Sequence, residues 1–128
     1  MSHESPSCDL HLHSVFSDGT HTPEEVVTLG CARGLSLLAL TDHDTVDGWP
    51  RMRVAAQKAG MSCVTGIEMT AQIGQRGVRV LGYDFDPADG ELLEELERQK
   101  KNRLERVWRM LDKLRALGLG LEPEEVLG

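Results

Sequence analysis

The chain has 128 residues, of which 40% are hydrophobic and 27% are charged, and its formal net charge is −7. This composition is typical of a globular domain and excludes a disordered chain, while the acidic balance excludes general affinity for nucleic acid or anionic membranes. No apolar run reaches the roughly 18 residues of a membrane-spanning helix, and the first residues lack the pattern of a signal peptide. Three scattered cysteines without a CxxC pair predict reduced thiols in a cytoplasmic protein.

The first forty residues predict a strand, a helix and a second strand. SCDLHLH alternates between polar and apolar residues, as a short strand does, so His11 and His13 share one face. The segment THTPEEVVTLGCARG has the signals of a helix, because Thr22 can cap it and Glu25 completes a capping box. The continuous apolar run LSLLALTD predicts a strand that is buried on both faces.

The following segments continue the alternation and then change character. A helix is predicted from Trp49 to Ala59, and two strands are predicted in MSCVTGIE and VRVLGYDF, the last one antiparallel after the loop QIGQRG. This order predicts α/β architecture with parallel strands and right-handed crossovers over residues 1–90. Residues 91–128 are predicted as a helical segment, with one long amphipathic helix and the start of another at Pro123.

Five metal-ligating side chains lie at or just past the predicted ends of three strands. They are His11, His13, Asp18, His43 and Glu68. Because the carboxyl ends of parallel strands meet at one edge of a sheet, these side chains are expected to converge there. Imidazoles combined with carboxylates suit zinc, manganese or iron, and such ions can activate a phosphate ester toward hydrolysis. The alternative for the paired histidines is a polar strand face in water.

Other polar and sulfur-bearing residues have more ordinary interpretations. Asp42 and Asp44 are outer metal ligands, partners that orient His43, or caps of the next helix, and the cap is favoured for Asp44. Solvent exposure is predicted for His3 and His21, and burial in the core for Cys31 and Cys63.

The motifs DLHLHSVFSDG, LTDHDT and GIEMT, in this order and spacing, resemble the first motifs of the PHP (polymerase and histidinol phosphatase) superfamily. The small phosphoesterase branch, with its nucleoside 3′,5′-bisphosphate phosphatases and 5′-3′ exoribonucleases, is the most similar. The resemblance implies the N-terminal part of a distorted (β/α)₇ barrel, followed by a long amphipathic helix of an inserted helical segment. It also implies a site with two or more divalent ions, Mn, Zn or Fe, that hydrolyses phosphate esters.

The resemblance also implies roles for individual residues. His11, His13, Asp18, His43 and Glu68 match metal ligands of the family, and Asp42 and His43 are the candidate catalytic residues. Arg79, Arg103 and Arg106 are candidates for binding substrate phosphate, although a solvated helix face explains the last two equally well. The expected substrate is a small phosphate ester or a short oligonucleotide.

Two departures from the family pattern predict an incomplete site. Arg79 stands where the family has a histidine ligand, and a guanidinium cannot ligate a metal because it stays protonated. No histidine follows His43, so the later family ligands are missing, and four strands cannot close a barrel of about 250 residues. The chain is therefore expected to be a fragment that lacks its C-terminal half, or a naturally short relative whose missing rim is empty or supplied by a partner chain. An open sheet edge also predicts a homo-oligomer. The alternative function is a weakly active or inactive module that binds metal or mediates an interaction.

Overall fold

The computed structural model describes residues 7–127, which form two compact units that divide between Asp89 and Gly90. His3 lies outside the described residues. None of the helices in the described part is long and apolar enough to cross a membrane. The first unit contains β1 (Cys8–Leu12), α1 (Pro23–Ala32), β2 (Leu37–Leu40), α2 (Trp49–Ala59), β3 (Ser62–Ile73) and β4 (Arg76–Tyr83), and the second contains α3 (Gly90–Ala116) and α4 (Pro123–Leu127).

The four strands form one strongly curved sheet in the order β1-β2-β3-β4. The first three strands are parallel, and β4 is antiparallel to β3. The hydroxyl of Tyr83 on β4 donates a hydrogen bond of 2.6 Å to the carbonyl of Leu10 on β1, although these strands lie at opposite ends of the sheet order. This contact requires the sheet to curl on itself. The architecture is therefore a half-barrel with helices, which confirms the predicted fold class.

The helices of the first unit begin and end where their sequence signals predict. The Thr22 side chain accepts from the Glu25 amide at 3.3 Å, and the Glu25 carboxylate accepts from the Thr22 amide at 2.8 Å, which completes the capping box. The second helix runs from Trp49 to Ala59, as predicted. Apolar residues of α1, β2 and α2, with Met61 just after α2, bury one another in a core. Its other members are Val27, Leu38, Leu40, Met52 and Ala56.

The third strand extends further than its apolar run predicts. It continues through Glu68 to Ile73, because its second half pairs with β4 from Gly66 opposite Tyr83 to Ile73 opposite Arg76. The predicted loop QIGQRG is reduced to a two-residue turn, in which Gly74 has φ +61°. A left-handed first position is what tight hairpin turns need, and glycine adopts it without a steric cost.

The prediction of a core position is wrong for Cys31, which is exposed, while Cys63 is half-buried beside the core. The buried side of α1 carries Val26, Val27 and Gly30, and Cys31 falls outside that stripe. Burial raises the pKa of the Cys63 thiol. The sequence run around Cys31 is apolar, but the helix turns this residue to solvent.

Candidate metal centre

The loop between β1 and α1 brings its polar residues into a tight arrangement. His11 lies in β1 and His13 just after it, and the pairing of β1 with β2 shifts register between Asp9 and Leu12. The amide of Gly19 donates to the carbonyl of Ser14 at 2.9 Å. A Cβ atom on Gly19 would lie 2.4 Å from the carbonyl oxygen of His13, so this close return of the chain requires glycine.

Asp42 holds this loop through three hydrogen bonds. Its side chain is buried, and its two oxygens accept hydrogen bonds of 2.7 Å each from the Ser14 amide, the Ser14 hydroxyl and the Ser17 hydroxyl. A buried carboxylate is tolerated because its lone pairs are used in this way. These contacts anchor the segment that carries Asp18. The catalytic role predicted for Asp42 stays a prediction, and the structure shows the residue as a loop anchor.

The favoured prediction that Asp44 caps the next helix is wrong. Gly48 is the N-cap of α2, and no side chain caps that end by a hydrogen bond. The Asp44 carboxylate instead accepts from the amide of Thr70 at 2.6 Å and from its hydroxyl at 2.8 Å. Asp44 has φ +51°, a conformation that aspartate tolerates better than most residues, and it turns the side chain toward β3.

Main-chain hydrogen bonds place His43 and Glu68 side by side. The Glu68 amide donates to the carbonyl of Asp42 at 3.2 Å, and the Asp44 amide donates to the carbonyl of Glu68 at 3.0 Å, which forms a parallel bridge between His43 and Glu68. On its other side Glu68 pairs with Leu81 of β4. Glu68 therefore lies inside β3, level with the end of β2, and not at the end of its own strand as predicted.

Three imidazoles approach one oxygen of Glu68. Its Oε2 atom lies 2.9 Å from Nε2 of His11, 3.2 Å from Nε2 of His13 and 3.6 Å from Nδ1 of His43. The hydrogen bond with His11 lowers the pKa of the Glu68 carboxyl, the electrostatic effect of the nearby imidazoles lowers it further, and burial opposes both. Glu68 is therefore an ionised carboxylate at neutral pH. His11, His13 and Glu68 are called the first group below.

A second set of possible ligand atoms lies on the other side of His13. Nδ1 of His13 lies 3.5 Å from Oδ1 of Asp18, and Nε2 of His43 lies 3.2 Å from Oδ2 of Asp18. The rings of His13 and His43 stack with centroids 4.4 Å apart. His13, Asp18 and His43 are called the second group. The structure thus brings together all five residues that the sequence predicts as metal ligands, and their role as ligands stays a prediction.

The donors of both groups fit a divalent ion. Among the buried side-chain polar atoms of residues 7–127, Nδ1 of His13 lacks a hydrogen-bond partner, and Oδ1 of Asp18 lies 3.5 Å from it. Several ring nitrogens crowd one carboxylate oxygen, an arrangement that protons or a metal ion can satisfy. Imidazole and carboxylate ligands suit Zn²⁺, Mn²⁺ and Fe²⁺ alike. A neutral His13 has one lone pair, so it can serve only one group at a time.

The three predicted phosphate-binding arginines lie on two different elements. Arg79 is on β4, where Nη1 is hydrogen-bonded to Nδ1 of His43 and lies 3.8 Å from Oε1 of Glu68. Arg103 and Arg106 are exposed residues of α3, in the second unit. Contact with phosphate stays a prediction for all three.

Three supporting residues of the site were missed from the sequence. They are Ser14, Ser17 and Thr70, which hold the carboxylates of Asp42 and Asp44. The two serines flank the apolar pair in SVFSDG, a signal that is visible in the sequence but has no specific meaning there. Their partners are 25 to 28 residues away, so only the fold identifies the contacts.

Comparison with known proteins assigns this arrangement to a family. The family model of the PHP domain matches residues 9–117. The chain belongs to the PHP domain family. This confirms the resemblance on which the sequence-based assignment depended.

Two relatives indicate the chemistry found among similar PHP domains. A 3′,5′-nucleoside bisphosphate phosphatase of Chromobacterium violaceum is 40% identical over 111 residues, which are 87% of this chain and 39% of that protein. A 5′-3′ exoribonuclease of Haemophilus influenzae is 37% identical over 111 residues, which are 87% of this chain and 40% of that protein. This PHP domain thus spans about 40% of the length of the relatives that it matches.

The fold is shared with a solved phosphoesterase structure. A candidate metal-dependent phosphoesterase from Bifidobacterium adolescentis superposes with a TM-score of 0.80 at 33% identity, over 88% of this chain and 39% of that one. The present chain aligns with only part of the barrel of that structure, in agreement with the half-barrel described above. The PHP phosphoesterases are metal-dependent, and the two groups of this PHP domain are its candidate metal ligands.

Proposed function

We propose that this PHP domain belongs to a metal-dependent phosphoesterase that hydrolyses nucleotides or short oligonucleotides. The observation that carries the proposal is the approach of three imidazoles to one oxygen of an ionised, nearly buried Glu68. The names of the relatives support a phosphatase or a phosphodiesterase acting on nucleotide-like esters. Divalent ions bound here would withdraw charge from a phosphoryl oxygen and make hydroxide available near neutral pH.

The residues of the chain have distinct roles in this proposal. The first group holds one ion, and Asp18 with His43 holds another. Asp42 keeps Asp18 in place through Ser14 and Ser17. Arg79, Arg103 and Arg106 are proposed to face substrate phosphate, which a guanidinium can bind with two parallel hydrogen bonds.

Location and assembly complete the proposal. Cys8, Cys31 and Cys63 are free thiols, which supports a reducing, cytoplasmic location. Within residues 7–127, β1 and β4 each pair with a single strand, so further polypeptide is proposed to cover the open side of the half-barrel. A longer chain or a second copy of this one can supply it. Sedimentation analysis at several concentrations distinguishes a self-associating chain from a monomer.

The test is hydrolysis by the purified chain with Mn²⁺. Adenosine 3′,5′-bisphosphate and a short 5′-phosphorylated RNA are the substrates, and released phosphate and nucleotide are measured. The wild-type rate is expected to disappear on metal chelation and in His43→Ala. His21→Ala is the matched control, because His21 is an exposed histidine of the same rim outside both groups. Hydrolysis that survives chelation, or equal rates in His43→Ala and His21→Ala, would overturn the proposal.

One observation favours a second candidate function, a metal-binding module with little activity. Arg79 places a fixed positive charge against His43 and near Glu68, where it opposes a divalent ion. Such a module would bind Mn²⁺ in an equilibrium titration but show no metal-dependent hydrolysis of either substrate.

A further inference from the structure

Arg79 makes a contact whose direction is fixed by chemistry. Its guanidinium has five N–H donors, no acceptor, and a proton that it does not lose in proteins. In the hydrogen bond between Nη1 of Arg79 and Nδ1 of His43, the arginine must therefore donate and the imidazole must accept. Nδ1 of His43 thus carries no proton while this contact exists.

The contact decides which nitrogen of His43 holds the proton. A neutral imidazole has one N–H and one lone pair, so the proton must be on Nε2 when Nδ1 accepts. Nε2 lies 3.2 Å from Oδ2 of Asp18, so the protonated nitrogen faces a carboxylate. With Nδ1 accepting from Arg79 and the proton on Nε2 beside Asp18, His43 has no lone pair left for a metal.

A metal ion in the second group needs the opposite tautomer. The nitrogen of His43 beside Asp18 is Nε2, so Nε2 must present its lone pair and the proton must be on Nδ1. An N–H at Nδ1 cannot face the N–H of Arg79, and the contact has to break. The N–H at Nδ1 can then turn toward Oε2 of Glu68, which lies 3.6 Å from Nδ1 and can accept a hydrogen bond from it. The exchange moves one proton within the ring and releases none.

We propose that Arg79 and a divalent ion compete for His43, so that filling the second group displaces the guanidinium. This inference rests on the proposed metal site and describes its regulation. Arg79 acts as a positioning residue, since it sets the tautomer of His43. Its side chain is 53% exposed, so the displaced guanidinium can turn toward solvent and toward an oxyanion that enters there. Loading of the second group would thereby prepare the arginine for an anionic ligand.

The first test is a calorimetric titration with Mn²⁺ alone. The wild type is expected to bind one ion tightly at the first group and a second one weakly. Arg79→Met removes the donor and the charge but keeps an unbranched side chain, and it should tighten the second step roughly 10- to 100-fold without changing the first. Arg76→Met is the matched control, because Arg76 is an exposed arginine of the same strand, an odd number of residues away and so on the other face.

Three outcomes of this titration have separate meanings. A tighter second step in Arg79→Met, with Arg76→Met like the wild type, supports the competition. An unchanged second step in Arg79→Met overturns it. No Mn²⁺ binding to any of the three proteins overturns the proposed metal site as well, which distinguishes the two failures.

The second test uses the wild-type chain and does not depend on the folding of a variant. ¹⁵N NMR of the imidazoles in metal-free protein should show the proton of His43 on Nε2 and a lone pair on Nδ1. Addition of Zn²⁺ should move the proton of His43 to Nδ1. Zn²⁺ is used here because it is diamagnetic and does not broaden the imidazole signals. A metal-free His43 with its proton on Nδ1 would overturn the inference.

Discussion

The two groups of candidate ligands share His13 but are positioned by different means. Glu68 in the first group belongs to a strand whose main chain is hydrogen-bonded on both sides, and its side chain is 9% exposed. Asp18 in the second group lies in a loop, and its side chain is 68% exposed. A strand positions a ligand through the backbone, whereas the loop depends on a few side chains. The first group should therefore bind more tightly and tolerate fewer substitutions.

The largest expected effect is a loss of Mn²⁺ affinity in Glu68→Ala that exceeds the loss in Asp18→Ala. Removing Glu68 deletes the oxygen that three imidazoles approach, so Mn²⁺ affinity of the tight step should fall at least about 100-fold. Asp18→Ala should weaken only the second step, by roughly tenfold. Calorimetric titration of both variants beside Asp47→Ala, an exposed aspartate of the β2–α2 loop, measures this. Equal losses in Glu68→Ala and Asp18→Ala would show that the two groups act as one.

A smaller effect is expected on stability when the loop between β1 and α1 loses its anchor, Asp42. Asp42→Ala removes an acceptor of three buried or half-buried hydrogen bonds and leaves the Ser14 amide and hydroxyl without it. The free energy of unfolding should fall by roughly 3 kcal/mol, the scale of losing charge-assisted bonds and leaving buried donors unsatisfied. Urea denaturation measures it against Asp47→Ala. If both variants unfold at the same urea concentration, Asp42 is not the anchor of this loop.

The smallest effect concerns a surface ion pair that borders the same loop. The Arg51 guanidinium donates to both oxygens of Glu24 at 2.8 and 2.7 Å, and it lies 5.7 Å from the ring centroid of Phe16 in the loop. The hydrogen bonds with Arg51 lower the pKa of Glu24 below its ordinary 4.5. The pair's stabilisation is therefore complete above about pH 4.5 and is lost as pH falls through the lowered pKa.

Glu24→Gln tests this pair by thermal unfolding at several pH values. The wild type should be slightly more stable than the variant at pH 7, and the difference should shrink as pH falls below 4.5 and through the lowered pKa of Glu24. Because both side chains are about half exposed, the difference should also shrink in about 1 M salt. A difference that grows as pH falls would contradict the assignment.

Much of the fold follows from local signals in the sequence. The capping box at Thr22 and Glu25 and the run from Trp49 to Ala59 predict helices that the structure contains at those positions. Local chemistry decides such ends, because a cap or a left-handed glycine acts within a few residues. The length of β3 was not predictable in this way. Its second half is exposed and mixed in character, and pairing with β4 makes it a strand.

The candidate ligands are predicted from the type and spacing of histidines and carboxylates near the ends of apolar runs, although the structure places Glu68 inside β3. Parallel pairing of β1, β2 and β3 then brings these ligands to one edge of the sheet. They are His11, His13, Asp18, His43 and Glu68. The side chains of Asp42, Asp44 and Arg79 contact partners 25 to 36 residues away. No local sequence pattern therefore predicts which residues they contact. Only the curvature and register of the sheet decide which carboxylate holds the loop and which nitrogen of His43 the arginine meets.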